Sequence, residues 1–211
     1  MENRRTKISA LIVVGLSAVV FMVLAILVKL GKFDTLNYEV YEAIATLINS
    51  TLTSVMILVS FLGEWYVWLT SAVILTLIAK TRANFGLPTL LATGAASAGA
   101  VLLKKIFMIP RPHINWLIQE VGYGFPSGHA MISTAFVAVA VYFFWQSRVR
   151  KLWKILLVII GVLWLLAIGF SRIYLGVHTL SDVMAGFAAG LGVATATVYL
   201  KMIFQVVIRR R

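Results

Sequence analysis

ISALIVVGLSAVVFMVLAILV, residues 8–28, runs for twenty-one positions without a charge. A helix that crosses the ~30 Å hydrocarbon core of a bilayer needs about 20 such residues, so the stretch reads as a membrane span. Arg4, Arg5 and Lys7 precede it, and a basic start followed by an apolar run resembles a signal peptide. The run is longer than the ~7–15 residue apolar core of such a peptide, and no A-x-A-like cleavage site follows. It is read as a retained helix.

The remainder of the chain has the same character. Of 211 residues 61% are hydrophobic, mean hydropathy is +0.97, and a soluble domain is about 45–50% apolar. The reading is all-α: a polytopic membrane protein with six transmembrane helices and a short interfacial helix between spans 1 and 2, in one membrane-embedded domain over 1–211. Gly31–Ser50, with Asp34, Glu39 and Glu42 on one side and Tyr38, Tyr41, Ala45 and Ile48 on another, is amphipathic and interfacial. Thr51–Lys80 is too long for one upright helix and breaks at Gly63-Glu64. A short interfacial helix is expected before the break and the second span at about Trp65–Ala79, with Trp65, Tyr66 and Trp68 as an interfacial aromatic belt. The other spans are expected near Leu87–Met108, Gly128–Trp145, Leu156–Phe170 and Leu180–Leu200. Small residues from Gly94 through Ala100, and Gly186, Gly190 and Ala194, supply close-packing faces. A polar loop covers Ile109–Pro126 and a basic loop Gln146–Lys154.

The net charge of +12 is read as topology rather than nucleic-acid binding, because no basic run is interleaved with aromatics. With six spans, thirteen basic residues fall on the side of both termini and six on the other; the thirteen are expected to be cytoplasmic. Without cysteine, disulfide and thiolate chemistry are excluded.

Charged groups in or near membrane helices are costly and default to functional hypotheses. Three clusters remain: Lys104 with Arg111-Pro112; Pro126-Ser127-Gly128-His129; and Ser171-Arg172 with His178 and Asp182. The out-in-out path of spans four and five brings all three to one membrane face, away from the cytoplasm. Lys104, Arg111 and Arg172 are cations with no matching carboxylate apart from Asp182. Such a set suits an anion, and guanidinium forks fit phosphate oxygens. Ser127 stands where the N-cap of span four would be, and the free N–H groups of Gly128 and His129 at a helix start favour the same ligand. His178 and Asp182 are four apart and on a helix would share a face. A carboxylate on one ring nitrogen leaves the other free to attack. His129 is then available to protonate the leaving oxygen and afterwards activate water. The set specifies phosphoryl transfer through a phosphohistidine. Neutral His178 and protonated His129 imply activity between two apparent pKa values.

The segments KKIFMIPRP (104–112), PSGH (126–129) and SRIYLGVHTLSD (171–182) match the pattern K-x6-R-P, P-S-G-H and S-R-x5-H-x3-D. The chain therefore resembles the phosphatidic acid phosphatase type 2 superfamily, in particular its bacterial phosphatidylglycerol phosphate and undecaprenyl diphosphate phosphatases. The resemblance implies a metal-independent lipid phosphatase with Lys104, Arg111, Ser127, Gly128 and Arg172 around the phosphate. It implies His129 as acid, His178 as nucleophile and Asp182 as its partner. No metal and no cofactor are expected, since one acid is in the site and a Mg²⁺ site for phosphates uses one or two carboxylates.

Other polar residues have plainer readings. His113 reads as an ordinary loop residue and Lys105 as a snorkelling interfacial lysine. Glu120 and Tyr123 lie in the catalytic loop within reach of a leaving group, with solvation the favoured reading, and Ser171 belongs to the motif as shaping the turn before Arg172. Expected partners are a lipid phosphate and the membrane, a bacterial cell membrane, with no nucleic acid and no obligatory protein partner. Phosphatidylglycerol phosphate, undecaprenyl diphosphate and phosphatidic acid are all admissible substrates. A phosphotransferase would use the same site. A non-catalytic transporter would use the cations but has no need of the His–Asp pair.

Overall fold

The computed structural model describes residues 4–78 and 82–209, in which there are helices and no strands. Lys80, Arg210 and Arg211, which enter the charge count above, lie outside the described residues. The helices are α1 Arg4–Lys29, α2 Asp34–Ala45, α3 Ser50–Leu62, α4 Trp65–Leu77, α5 Leu87–Phe107, α6 Gly128–Trp145, α7 Lys151–Tyr174 and α8 Leu180–Arg209, with a π-turn Arg82–Gly86 before α5. Five of them, α1, α5, α6, α7 and α8, are long and apolar enough to cross a bilayer. Their outward faces carry Leu16, Val19, Leu91, Val101, Ile160 and Leu163, all exposed, which suits lipid rather than water.

The second span departs from expectation. The break at Gly63-Glu64 is present, but α4 ends at Leu77 after 13 residues and at 1.5 Å per residue is about 20 Å long, short of a ~30 Å core. Only α3 and α4 together, bent by 47°, pass as a sixth span. The aromatic belt is also partial. Trp65 and Tyr66 are exposed, whereas Trp68 stacks on Phe136 of α6 with ring centroids 4.7 Å apart.

At the centre α8 packs against α1, α6 and α5, and α6 packs against α5 and α7. Small residues set these distances. A Cβ on Gly186 would lie 2.6 Å from Ser127 O, and one on Gly190 would strike the Met131 carbonyl and the Thr134 side chain. On α5 the contact line is Ala92, Ala96 and Ala100, all buried. A Cβ on Gly94, within the expected small-residue face, would meet nothing within 4 Å.

The C-terminal ends of α1, α5 and α7 and the N-terminal ends of α6 and α8 share one end of the bundle. There α2 and α3 form a collar. Asn37 of α2 exchanges two hydrogen bonds with Ser181, Nδ2 donating to Oγ at 2.9 Å and Ser181 N donating to Oδ1 at 3.1 Å. Tyr174 at the end of α7 accepts from Asn49 N at 3.2 Å and pairs with Thr53 Oγ1 at 3.0 Å. At the far end Lys201 donates to Ala83 O at 3.0 Å, near the loop joining α6 to the basic start of α7. Helix α7 begins at Lys151 and runs to Tyr174, longer than the 156–170 expected, so Arg172 lies in its last turn.

Candidate active site

The collared end gathers the three clusters. Lys104 comes from the last turn of α5, Arg111 and Glu120 from the long α5–α6 loop, Ser127, Gly128 and His129 from the start of α6, Arg172 from α7, His178 from the α7–α8 loop and Asp182 from the first turn of α8. Ser127 caps α6, its side chain accepting from Ala130 N at 3.5 Å, and its own N–H donates to Asp182 O at 3.0 Å. One bond thus ties the starts of α6 and α8. Gly176 has φ +76°, and a Cβ there would lie 2.5 Å from Asn115 O. Glycine is needed here on both counts.

That turn corrects one expectation. His178 is not on a helix face with Asp182; it precedes α8 in the loop. The two still meet, with Nδ1 3.4 Å from Oδ2, while Asp182 Oδ2 also accepts from Thr179 N at 2.9 Å, which fixes the carboxylate. The 3.4 Å gap is long for a formed hydrogen bond, and catalytic contacts of this kind tighten when substrate binds. On the other side of the ring Nε2 lies 3.3 Å from Arg111 Nη1. A guanidinium can only donate, so Nε2 is the acceptor and Nδ1 carries the hydrogen toward Asp182. Burial, reinforced by Arg172, Lys104 and Arg111, holds the His178 imidazole neutral, its pKa well below the ordinary value.

The cations are engaged as well as convergent. Arg111 Nη1 donates to Val177 O at 2.9 Å, and Nη2 donates to Val121 O and to Glu120 Oε2, each at 3.2 Å. Arg172, 1% exposed, donates to Ser60 Oγ of α3 and to Glu120 Oε1. Lys104 Nζ donates to the carbonyls of Tyr123 and Gly124. Glu120 therefore overturns two expectations: it is not a solvated loop residue, and Asp182 is not the only acid among these cations. Its two oxygens span the two guanidiniums as a phosphate would.

A second carboxylate faces His129. Glu64, at the α3–α4 break, places Oε1 3.4 Å from His129 Nε2, and no hydrogen bond serves that nitrogen. Glu64, Glu120 and His129 each offer a ligand atom within 4.8 Å of the others. A metal ion there would draw on Glu120, whose oxygens already face Arg111 and Arg172, and would add positive charge beside both. Sequence reasoning gave Glu64 only as part of a helix break and Glu120 as a loop acid, and it did not single out Ser60. Glu64 did carry a signal, as the one charge between Asp34–Glu42 and the end of an apolar stretch.

Lys104, Arg111, Arg172, Gly128, His129, His178, Glu64 and Glu120 line a common cavity of about 520 Å³, whose flank is apolar through Trp65, Ala98, Val101 and Ile132. A Cβ on Gly128 would meet only Ala100, at an ordinary 3.8 Å, so packing does not require glycine there. Lys105 and His113 are exposed, and His113 borders an adjoining cavity that shares Arg111 and His178 with this one and also reaches Asp182. Ser171 donates to Ile168 O at 2.8 Å, inside its own helix and away from the cavity.

A cationic pocket with a neutral, carboxylate-backed imidazole, opening toward the apolar flank of a helical membrane bundle, defines the class: a membrane-embedded phosphatase. Residues 85–205 match the family model of the PAP2 superfamily, and the chain belongs to that superfamily. It is 30% identical over 181 residues to phosphatidylglycerophosphatase B of Bacillus subtilis, covering 81% of this chain and 86% of that protein. It is 27% identical over 191 residues to undecaprenyl-diphosphatase of Sulfolobus acidocaldarius, covering 86% and 87%. The crystal structure of the transmembrane PAP2-type phosphatidylglycerolphosphate phosphatase of Bacillus subtilis superposes with a TM-score of 0.81 at 26% identity, covering 90% of this chain and 96% of that one. The protein is an integral membrane lipid phosphatase.

Proposed function

We propose that the protein hydrolyses the phosphate or diphosphate of a membrane lipid through a phosphohistidine on His178, at the membrane face away from the cytoplasm. The observation that carries this reading is the His178 ring itself. Asp182 backs one of its nitrogens, and the other faces Arg111 in a cavity that Lys104 and Arg172 also line. In the first step the Nε2 lone pair attacks phosphorus in line as the bond to the lipid oxygen breaks, and His129 gives that oxygen its proton. In the second, water loses a proton to His129 and attacks phosphorus; the P–N bond breaks, releasing inorganic phosphate and restoring both imidazoles. Lys104, Arg111 and Arg172 hold the phosphoryl oxygens, with the N–H groups of Gly128 and His129 at the start of α6. Glu120 must yield its guanidiniums to the incoming phosphate. The apolar flank at Trp65, Val101 and Ile132 accommodates the acyl or prenyl part of a substrate that stays in the bilayer.

No step as written requires a metal. Purified enzyme in detergent is therefore expected to release inorganic phosphate from phosphatidylglycerol phosphate, undecaprenyl diphosphate or phosphatidic acid equally well with and without EDTA. The ratio of kcat/KM across the three names the substrate. A rate lost in EDTA and restored by Mg²⁺ would refute the metal-free scheme.

The orientation rests on charge. Arg4, Arg5, Lys7, Arg148, Arg150, Lys151 and Lys154 lie at the end away from the site, the end that is retained in the cytoplasm. The chain has no cysteine, so single cysteines report the sides cleanly. Val121, 90% exposed in the α5–α6 loop, and Val149, between α6 and α7, are suitable positions. Val121→Cys is expected to react with an impermeant maleimide in intact bacterial cells, and Val149→Cys only after permeabilisation. The opposite pattern would invert the proposed topology.

A further inference from the structure

Glu64 occupies the N-cap position of α4 with extended backbone (φ −64°, ψ 145°), yet its side chain makes no capping hydrogen bond. A carboxylate at a helix start ordinarily satisfies that helix's own N–H groups. This one lies toward a different element, with Oε1 3.4 Å from His129 Nε2. Its neighbour makes the approach possible: a Cβ on Gly63 would stand 3.1 Å from His129 Cδ2 and 3.2 Å from Ile168 Cγ2, so the bare glycine leaves room for the ring. The break in the second span thus delivers a charged group, at a cost in a membrane protein, to a histidine nitrogen that no hydrogen bond serves.

We propose that Glu64 is the positioning residue of the general acid, holding His129 as Asp182 holds His178. This rests on the acid role given to His129 above. An ionised carboxylate only accepts, so Nε2 carries the hydrogen that faces Glu64, and Nδ1 is the atom that delivers the proton to the leaving oxygen. The charged groups around His129 come from every side. Arg172 of α7, Lys104 of α5, Arg111 and Glu120 of the α5–α6 loop and neutral His178 of the α7–α8 loop line the same cavity. The three cations oppose a protonated imidazole. Glu120 is held by Arg111 and Arg172, which leaves Glu64 as the carboxylate free to stabilise the imidazolium. The site then contains two carboxylate–imidazole pairs, one for the nucleophile and one for the acid.

The test varies the leaving group. Phosphatidic acid leaves as an alkoxide that needs a proton, whereas p-nitrophenyl phosphate leaves as a stable phenolate that does not. General acid catalysis is worth about 10²–10⁴-fold, and Glu64→Gln is expected to forfeit roughly a tenfold part of it. The loss should appear in kcat/KM for phosphatidic acid, which reports phosphoryl transfer to His178 and not the water step that both substrates share, with kcat/KM for p-nitrophenyl phosphate changed by less than about threefold. The basic limb of kcat/KM for phosphatidic acid should move down by about one pH unit, since an opposite charge has been removed from the acid. Glu64→Asp, keeping the charge, should restore part of the rate. Equal losses of kcat/KM on both substrates, or no loss on either, would overturn the proposal. His129→Ala is measured alongside. If its kcat/KM discriminates between the leaving groups while that of Glu64→Gln does not, the role of Glu64 is wrong and that of His129 stands; if His129→Ala lowers kcat/KM for both substrates equally, the acid assignment itself fails and Glu64 with it.

Discussion

Alanine in place of His178 is expected to lower kcat/KM for lipid phosphate by at least about 10⁴-fold, the scale on which loss of an enzymic nucleophile is felt. The side chain is 2% exposed and removal leaves a small cavity, but its neighbours keep their own ties. Arg111 still donates to Val177 O and Glu120, and Asp182 still accepts from Thr179 N. The variant should therefore fold, elute as the native protein does and bind phosphate while failing to release it. Wild-type enzyme given ³²P-labelled substrate and quenched in alkaline detergent should carry a base-stable, acid-labile phosphate that His178→Ala lacks. Undiminished release by the variant would remove His178 from the mechanism. The same residue sets the acid side of the pH profile. In the proposed mechanism the neutral imidazole attacks, and in the free enzyme burial and the surrounding cations place its pKa below the ordinary 6.5. As pH falls, kcat/KM should hold until below 6.5 and only then decline, because protonation of His178 is opposed. An acid limb centred above 6.5 would contradict the neutral state described.

Arg172→Gln is expected to cost activity and stability together. A guanidinium that stabilises a transferring phosphoryl group is worth about 10³–10⁵-fold in rate. Stripping one partner from a buried ion pair costs about 3–5 kcal/mol, and Arg172 is 1% exposed between Ser60 and Glu120. Glu120 keeps Arg111 at 3.2 Å, so the lower end of that range applies. A drop in the unfolding midpoint in detergent and a kcat/KM lower by at least about 10³-fold should both be seen. Arg172→Lys separates the two effects. A lysine retains the charge and part of the stability, but as a point donor it cannot serve Ser60 and a phosphate oxygen in the same fixed plane. It should recover the midpoint more than the rate. Full recovery of the rate would mean that Arg172 supplies charge alone.

Composition and local pattern reached far into this protein. Hydrocarbon thickness and helical rise are fixed lengths, so apolar runs declare themselves as spans. The start of α6 at Gly128, its end at Trp145 and the break at Gly63-Glu64 follow from residues adjacent in the chain. Fixed spacings likewise marked Lys104, Arg111, Ser127, Gly128, His129, Arg172, His178 and Asp182 as one group, and six-span topology required them at one end. The departures share one cause, which is that they depend on partners far away in sequence. Whether α3 lies in the interface or shares a bent span with α4 depends on how it packs against α7. Whether Trp68 faces lipid depends on Phe136, and whether Gly94 or Ala96 touches a neighbour depends on how α5 is rotated. Glu120 was a loop acid until the fold set it between Arg111 and Arg172, and Glu64 a helix boundary until it met His129. Hydropathy and spacing determined the membrane architecture and the reactive set, because both are written in local order. Only the tertiary structure decided which carboxylate answers each cation and each imidazole, because those pairings arise when helices distant in sequence are packed to contact.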